Sequence, residues 1–198
     1  MDCHLSMDAH IKAICKKSYF HLRNLSKIRR YLSKDAQHKI VHAFISSNLD
    51  CNNALLYGLP KYQTDKLQRI QNSSARLVTR TKKQDHITPV LKSLHWLPVQ
   101  SRIIYKILTL TYRCLHQKAP EYLTALIHPH NPPRNLRSST SLLLDVPRSR
   151  LSHYGDWAFS VAGPRLWNRV PDALKSAASL DTFKINLKTY LFNNKLEL

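Results

Sequence analysis

Between Ser6 and Leu32 the positions Met7, Ile11, Ile14, Ser18, Leu22, Leu25, Ile28 and Leu32 recur every three or four residues, the spacing that lines one face of an α-helix. At about 100° per residue, the opposite face gathers Lys12, Lys16, Arg23, Lys27 and Arg30 into an arc of roughly 60°. Lys17 and Arg29 fall outside that arc. Ser33 is placed to cap a second helix through about Asn48, its hydroxyl accepting a first-turn N–H, with Ala36, Ile40, Val41, Phe44 and Ile45 inward. Gly58-Leu59-Pro60 closes this stretch with a loop. Thr64 then reads as the cap of a third helix, with Leu67, Ile70, Ser74, Leu77 and Val78 inward and Lys66, Arg69, Arg76 and Arg80 outward. The pattern predicts one helical unit packed through Ile11, Ile14, Leu22, Leu25, Ile40, Phe44, Leu67, Ile70 and Leu77.

Thr88-Pro89 sets a capping residue before a proline at the first helical position, where the missing N–H costs nothing, and predicts a short helix to about His95. Pro98 opens a longer helix with Val99, Ile103, Ile107, Leu110 and Cys114 on one face, and Pro120 a short one through Ile127. The segment His128 to Ser141 reads as an extended linker. Beyond it, Ser141-Leu142-Leu143-Leu144-Asp145-Val146 and Trp157-Ala158-Phe159-Ser160-Val161 are candidates for short strands. Ser179 to Phe192 is a capped helix with Leu180, Phe183, Leu187 and Leu191 on one face. The expected fold class is mainly α, with a small irregular or β-containing C-terminal segment.

Composition sharpens this picture. The 198 residues hold 31 Lys+Arg against 12 Asp+Glu, a formal charge of +19, spread over both halves of the chain. Such an excess repels itself and attracts polyanions over a Debye length of about 10 Å. Only three glycines occur, which disfavours tight hairpins and phosphate-cradling loops. The longest apolar stretches, Ala54–Tyr57 and Leu142–Leu144, are far shorter than the roughly 18 residues of a membrane span. No signal-peptide pattern opens the chain. An intracellular protein, nuclear or cytoplasmic, with no membrane partner is expected. Cys3, Cys15, Cys51 and Cys114 are scattered without a C-x-x-C pair, so packing is their expected role.

Metal-assisted phosphoryl chemistry calls for paired carboxylates holding ions about 3.5–4 Å apart. Here the acids are dispersed singly, with no Asp-Asp or Asp-x-Asp. No histidine is followed by x-Asp, which removes the iron dioxygenase triad, and no G-x-S-x-G elbow occurs. Cys114, His116, His128 and His130 form the one compact set of metal-type ligands, but Cys114 and His116 are two apart on a helix and point to different sides. Neither a catalytic residue, a metal site nor a cofactor is expected. The basic faces are the positive signal. Solvated faces usually mix both signs, whereas only Asp8 and Asp65 accompany these cations. Lys12, Lys16, Arg23, Lys27, Arg30, Lys66, Arg69, Arg76 and Arg80 are therefore candidate phosphate contacts, which read backbone rather than sequence. Tyr19, Phe20, Tyr31, Gln68 and Asn72 lie among them, for core packing or for stacking on unpaired bases.

A series of ordered motifs runs through most of the chain: Ile11-Lys12, Cys15-Lys16, His21-Leu22-Arg23-Asn24-Leu25, Leu55-Leu56-Tyr57-Gly58-Leu59-Pro60, Leu67-Gln68-Arg69-Ile70-Gln71-Asn72 and Ala75-Arg76-Leu77-Val78. His86-Ile87-Thr88-Pro89, Leu94-His95-Trp96-Leu97-Pro98-Val99, Pro164-Arg165-Leu166-Trp167-Asn168 and Phe183-Lys184 with Leu187-Lys188-Thr189-Tyr190-Leu191-Phe192 continue it. The whole resembles the C-terminal part of the reverse transcriptase of LINE-type, non-LTR (Jockey-like) retrotransposons. That resemblance implies a thumb-like helical unit over residues 1–80, post-thumb helices over 81–130 and a C-terminal segment over 131–198 ending in a helix. In that family the active site sits in an upstream palm around a Phe/Tyr-Ala-Asp-Asp motif, which this sequence lacks. The implied role is non-catalytic: holding a template–primer duplex or RNA–DNA hybrid by its phosphates, beside the palm and fingers of the parent polyprotein. A structural protein meeting an acidic partner and a non-functional remnant reading frame are the alternatives.

Overall fold

The computed structural model describes residues 7–130, 142–151 and 154–193, and these are mainly helical, with no strand beyond a single isolated bridge. The chain divides into two compact units, Met1–Arg102 and Ile103–Leu198. The division falls within a helix. Most of the expected linker, 131–141, lies outside the described residues.

In the first unit α1 spans Asp8–Ile28 and buries Ile11, Ile14, Ser18, Leu22 and Leu25, the expected stripe. It ends early, because Arg29–Tyr31 tighten into a 3-10 turn. Ile28, the last residue of α1, is 48% exposed, and Leu32, past a turn whose three residues per turn rotate the face, is half-buried. Ser33 caps α2 (Lys34–Val41), its Oγ accepting the Ala36 N–H at 3.2 Å. The run that follows is not one uniform helix. His42–Ser46 form a π turn before α3 (Ser47–Asp50). The inward face of α2 is already Gln37 and Val41, which leaves Ile40, expected inside, half-buried, and the π turn continues it with Ile45 and then Leu49, so Phe44, expected inside, is 48% exposed.

Gly58, at φ 78°, makes the left-handed turn that a side chain would strain, and leads into α4 (Lys61–Thr79). Pro60 caps α4, one turn ahead of the expected start; Thr64 sits within the first turn with its hydroxyl on the Lys61 carbonyl at 3.0 Å. Leu67, Ile70, Ser74, Leu77 and Val78 are buried as expected, joined by Gln63, Gln71 and Ala75. Likewise α5 (Ile87–Ser93) is capped at His86 rather than Thr88, and Pro89 falls in the first turn, where N–H groups lack helical acceptors anyway. Leu97 to Val99 are tied to α4 by amides: Gln71 Nε2 donates to the Leu97 carbonyl at 2.8 Å, and Gln68 Oε1 accepts the Val99 N–H at 2.8 Å. Arg102 donates to the Leu97 carbonyl and pairs with Asp50 at 2.8 Å.

The second unit is built on α6 (Val99–Leu115), whose first residues belong to the first unit. Its buried face is broader than one stripe: Ile104, Leu108 and Tyr112 join Ile103, Ile107 and Cys114, while Leu110 is half-buried. After α7 (Glu121–Thr124), the candidate strand at 142–146 forms only the antiparallel bridge Pro129–Leu144. The His130 N–H donates to the Leu143 carbonyl at 3.0 Å and the Asp145 N–H to the His128 carbonyl at 2.9 Å, while the Asn168 side chain accepts the Leu144 N–H and donates to the Leu144 carbonyl, both at 2.9 Å. The other candidate strand, Trp157–Val161, is the junction of two helices, with Ala158 as the extended residue between them. There α8 (Tyr154–Trp157) ends and α9 (Phe159–Asn168) begins, burying Val161, Ala162, Leu166 and Trp167 at helical spacing. Aromatic and β-branched composition favours a strand only where a pleated surface exists to receive it. α10 (Asp172–Lys175) precedes α11 (Leu180–Asn193), where Ser179 caps through the Thr182 N–H at 3.1 Å and Phe183, Leu187 and Leu191 are buried. Tyr112 stacks on Phe183 at 4.4 Å, with Trp167 5.9 Å from Phe183.

Candidate nucleic-acid interface

α1 and α4 lie side by side and run in the same direction. At their starts Gln63 Nε2 donates to Asp8 Oδ1 at 2.9 Å. Further along, Tyr19, Leu22, Arg23 and Ser26 of α1 line a groove of about 390 Å³ together with Ser73 and Leu77 of α4. Its hydroxyls at Ser26 and Ser73 are turned back to their own helices, onto the carbonyls of Arg23 at 2.7 Å and Arg69 at 2.8 Å. Of the cations, Arg23 lines this groove; helical spacing sets Lys12, Lys16 and Lys27 on the same face of α1 as Arg23 and Arg69 one turn before Ser73 on α4, while Arg80 is the left-handed residue that ends α4. All six are exposed.

Among the described residues these six form no ion pair. The ion pairs among the described residues use Lys39, Arg102, His130, Arg165, Lys175 and Lys184 as cations, each against an Asp. None recruits Lys12, Lys16, Arg23, Lys27, Arg69 or Arg80. Lys12 with Lys16 and Arg23 with Lys27 stand one helical turn apart, a like-charge spacing that destabilises a helix by about 0.2–0.5 kcal/mol per pair. A row of phosphates laid along the groove would relieve it.

The remaining candidates have other engagements. Arg30 falls in the 3-10 turn beyond α1, its guanidinium 5.0 Å from the Tyr31 ring centroid. Arg76 is half-buried and spans the turn after α4, donating from Nε to the Lys82 carbonyl at 3.2 Å and from Nη2 to the Asp85 carbonyl at 2.7 Å. Lys66 is half-buried with its ammonium 5.3 Å from the Tyr62 ring centroid. Its charge also opposes the burial that raises the Cys15 thiol above its ordinary pKa. Gln68 and Asn72, considered for contact with bases, belong to the internal amide ladder: Gln68 Nε2 donates to Asn72 Oδ1 at 2.7 Å while its oxygen holds Val99. Tyr19, Phe20 and Tyr31 are exposed. Sequence reasoning missed Ser26 and Ser73 as groove residues and the contact between His21 and Phe44, whose rings stack at 5.0 Å. Periodicity carried no trace of that stack, because the π turn that delivers Phe44 to α1 has no signature in the spacing of apolar residues.

Elsewhere, Cys114 is buried, His116 packs on Tyr112 at 4.1 Å, and His130 pairs with Asp145. Among the described residues no group of three or more His, Cys, Asp or Glu is placed to hold a metal ion, and no helix is long and apolar enough to cross a membrane. No family model, curated protein or solved structure matches the chain.

Proposed function

We propose that this chain is a non-catalytic nucleic-acid-binding fragment of a retrotransposon reverse transcriptase, in which α1 and α4 act as a thumb-like unit gripping the backbone of a template–primer duplex. The observation that carries the reading is the set of exposed cations on the outer faces of two parallel helices and at the end of the second, none in an ion pair among the described residues, with Arg23 lining the groove between the helices. Two long helices hold that array rigidly, and the motifs from Ile11 to Phe192 that resemble the LINE-type enzymes support the same assignment. A non-catalytic role is supported by the dispersed acids, which do not supply the paired carboxylates that phosphoryl transfer needs.

Each phosphate neutralised by a cation releases condensed counterions, so log K falls with log salt by about 0.9 per contact on a B-form duplex. Four to six contacts give a slope of roughly −4 to −5. Replacing Arg23 and Lys27 by Gln is expected to reduce that magnitude by about two units on an RNA–DNA hybrid, irrespective of its sequence. Replacing Lys106 and Lys118, exposed cations of the second unit, is expected to leave the slope nearly unchanged. Equal losses from both double variants would reduce the interaction to diffuse attraction by net charge and sink the groove as a binding site. Metal-dependent primer extension by the purified chain would overturn the non-catalytic reading.

A further inference from the structure

A row of rings borders the cation face on the side away from the groove. Phe20 is 60% and Phe44 48% exposed, and the half-buried His21 lies between them. Phe20 meets His21 edge-on at 5.5 Å and 75°, and His21 stacks on Phe44 at 5.0 Å and 28°. The row thus joins the middle of α1 to the π turn. On the surface of α1 the neighbours of Phe20 at three and four residues' distance are Lys16, Lys17, Arg23 and Asn24. All four are exposed. Three are cations, none is an acid, and none of the cations is used in an ion pair among the described residues.

We propose that Phe20 and Phe44, with His21 between them, form a stacking platform for unpaired nucleobases, so that the molecule holds a single-stranded stretch of polynucleotide beside the duplex. The inference rests on the reading of the cation face as a phosphate-binding surface and names the form of nucleic acid that its ring-bearing flank accepts. Two features select this occupant. An apolar peptide or second helix would cover the rings but leave Lys16, Lys17 and Arg23 against a surface without anions. A single strand alternates flat rings with phosphates, matching both the ring row and the cations that frame it, and every base offers a π face whatever the sequence. A duplex does not compete for the rings, because its bases are already stacked on one another.

The test uses the full chain and three probes: a short single-stranded RNA carrying one 2-aminopurine, a blunt RNA–DNA hybrid, and the same hybrid with the 2-aminopurine RNA as an overhang. The overhang is expected to bind about tenfold more tightly than the blunt hybrid, the scale of one stacked base, with 2-aminopurine emission quenched on binding. Phe20→Ala and Phe44→Ala are each expected to abolish that gain and the quench while leaving blunt-hybrid affinity unchanged. Phe20→Trp retains both, and Phe20→Leu, apolar but without a ring, loses both. An overhang that adds nothing, or a Phe20→Leu protein that keeps the gain and the quench, would overturn the platform. If instead the blunt hybrid fails to bind in a salt-dependent way while the single strand is still quenched by the native chain and not by Phe20→Ala, the platform stands and the duplex grip falls.

Discussion

The first unit holds its helices together with aliphatic side chains, buried amides and one buried indole, Trp96, against His38 and His42, whereas the second has three buried rings packed on one another. Ile11, Val41, Leu67 and Ile70 are fully buried in the first, alongside Gln37, Gln63 and Gln71, and the amides of Gln68 and Gln71 tie the chain entering α6 to α4. In the second, Tyr112, Trp167 and Phe183 are all at most 1% exposed and packed on one another. The charges differ in the same way. Arg165, Lys175 and Lys184 of the second unit each have a carboxylate, as do Lys39 and Arg102 of the first, while among the described residues no cation of α1 or α4 is in an ion pair. Large rings supply much apolar area to a unit made partly of four-residue helices. A unit with two long helices can be anchored by aliphatic contacts and a few amides, which leaves its outer faces open to carry one sign of charge. Mutations should therefore separate: core changes in the second unit act on stability, and face changes in the first act on binding.

The largest effect is expected at Phe183, which is fully buried and touches both Tyr112 and Trp167. Phe183→Ala should cost about 3–5 kcal/mol in denaturant unfolding; a loss below about 1 kcal/mol would show that the ring stack does not organise this unit. Next comes Gly163, where an added Cβ would lie 2.9 Å from Thr111 Oγ1 and 3.3 Å from Ile127 Cδ1. Gly163→Ala should destabilise by about 1–3 kcal/mol through overpacking, despite the better helix propensity of Ala. In a Thr111→Ala background the same change should become close to neutral, and an equal cost in both would move the clash elsewhere.

In the first unit, Gln68→Leu deprives the Val99 N–H of its acceptor and should cost about 1–2 kcal/mol. A neutral result would mean that the amide ladder is incidental to how α4 holds the start of α6. The smallest effect on stability is expected from Lys12→Gln with Lys16→Gln, within about 0.5 kcal/mol and favourable at low salt, because a like-charge pair one turn apart is removed. The same protein should nevertheless lose about two units of salt slope on an RNA–DNA hybrid. A large stability loss without a change of slope would make those lysines structural.

Much of the helical framework was readable from the chain. α1, α4, α6 and α11 repeat apolar residues at helical spacing, and Ser33 and Ser179 cap helices by side-chain oxygens whose role depends only on nearby backbone. The exposed state of Lys12, Lys16, Arg23 and Lys27 followed from the same spacing, because a helix that buries one face exposes the other. The 3-10 turn at Arg29–Tyr31, the π turn at His42–Ser46 and the helix–helix junction at Trp157–Val161 were not readable. In each, local preference is weak and the contacts made by neighbouring helices decide the backbone.

The sequence by itself determined which residues are apolar, how they repeat, and that basic side chains populate the faces opposite them. Tertiary structure decided which of those cations share a surface and which are consumed. It brought α1 and α4 together in parallel, turned Arg76 onto the carbonyls of Lys82 and Asp85, enlisted Gln68 for Val99, and carried Phe44 out of the core to His21. The physical reason is range. Periodicity reports the faces of one helix at a time, whereas the meeting of two faces, and the polar groups spent in satisfying buried backbone between them, depend on residues tens of positions apart.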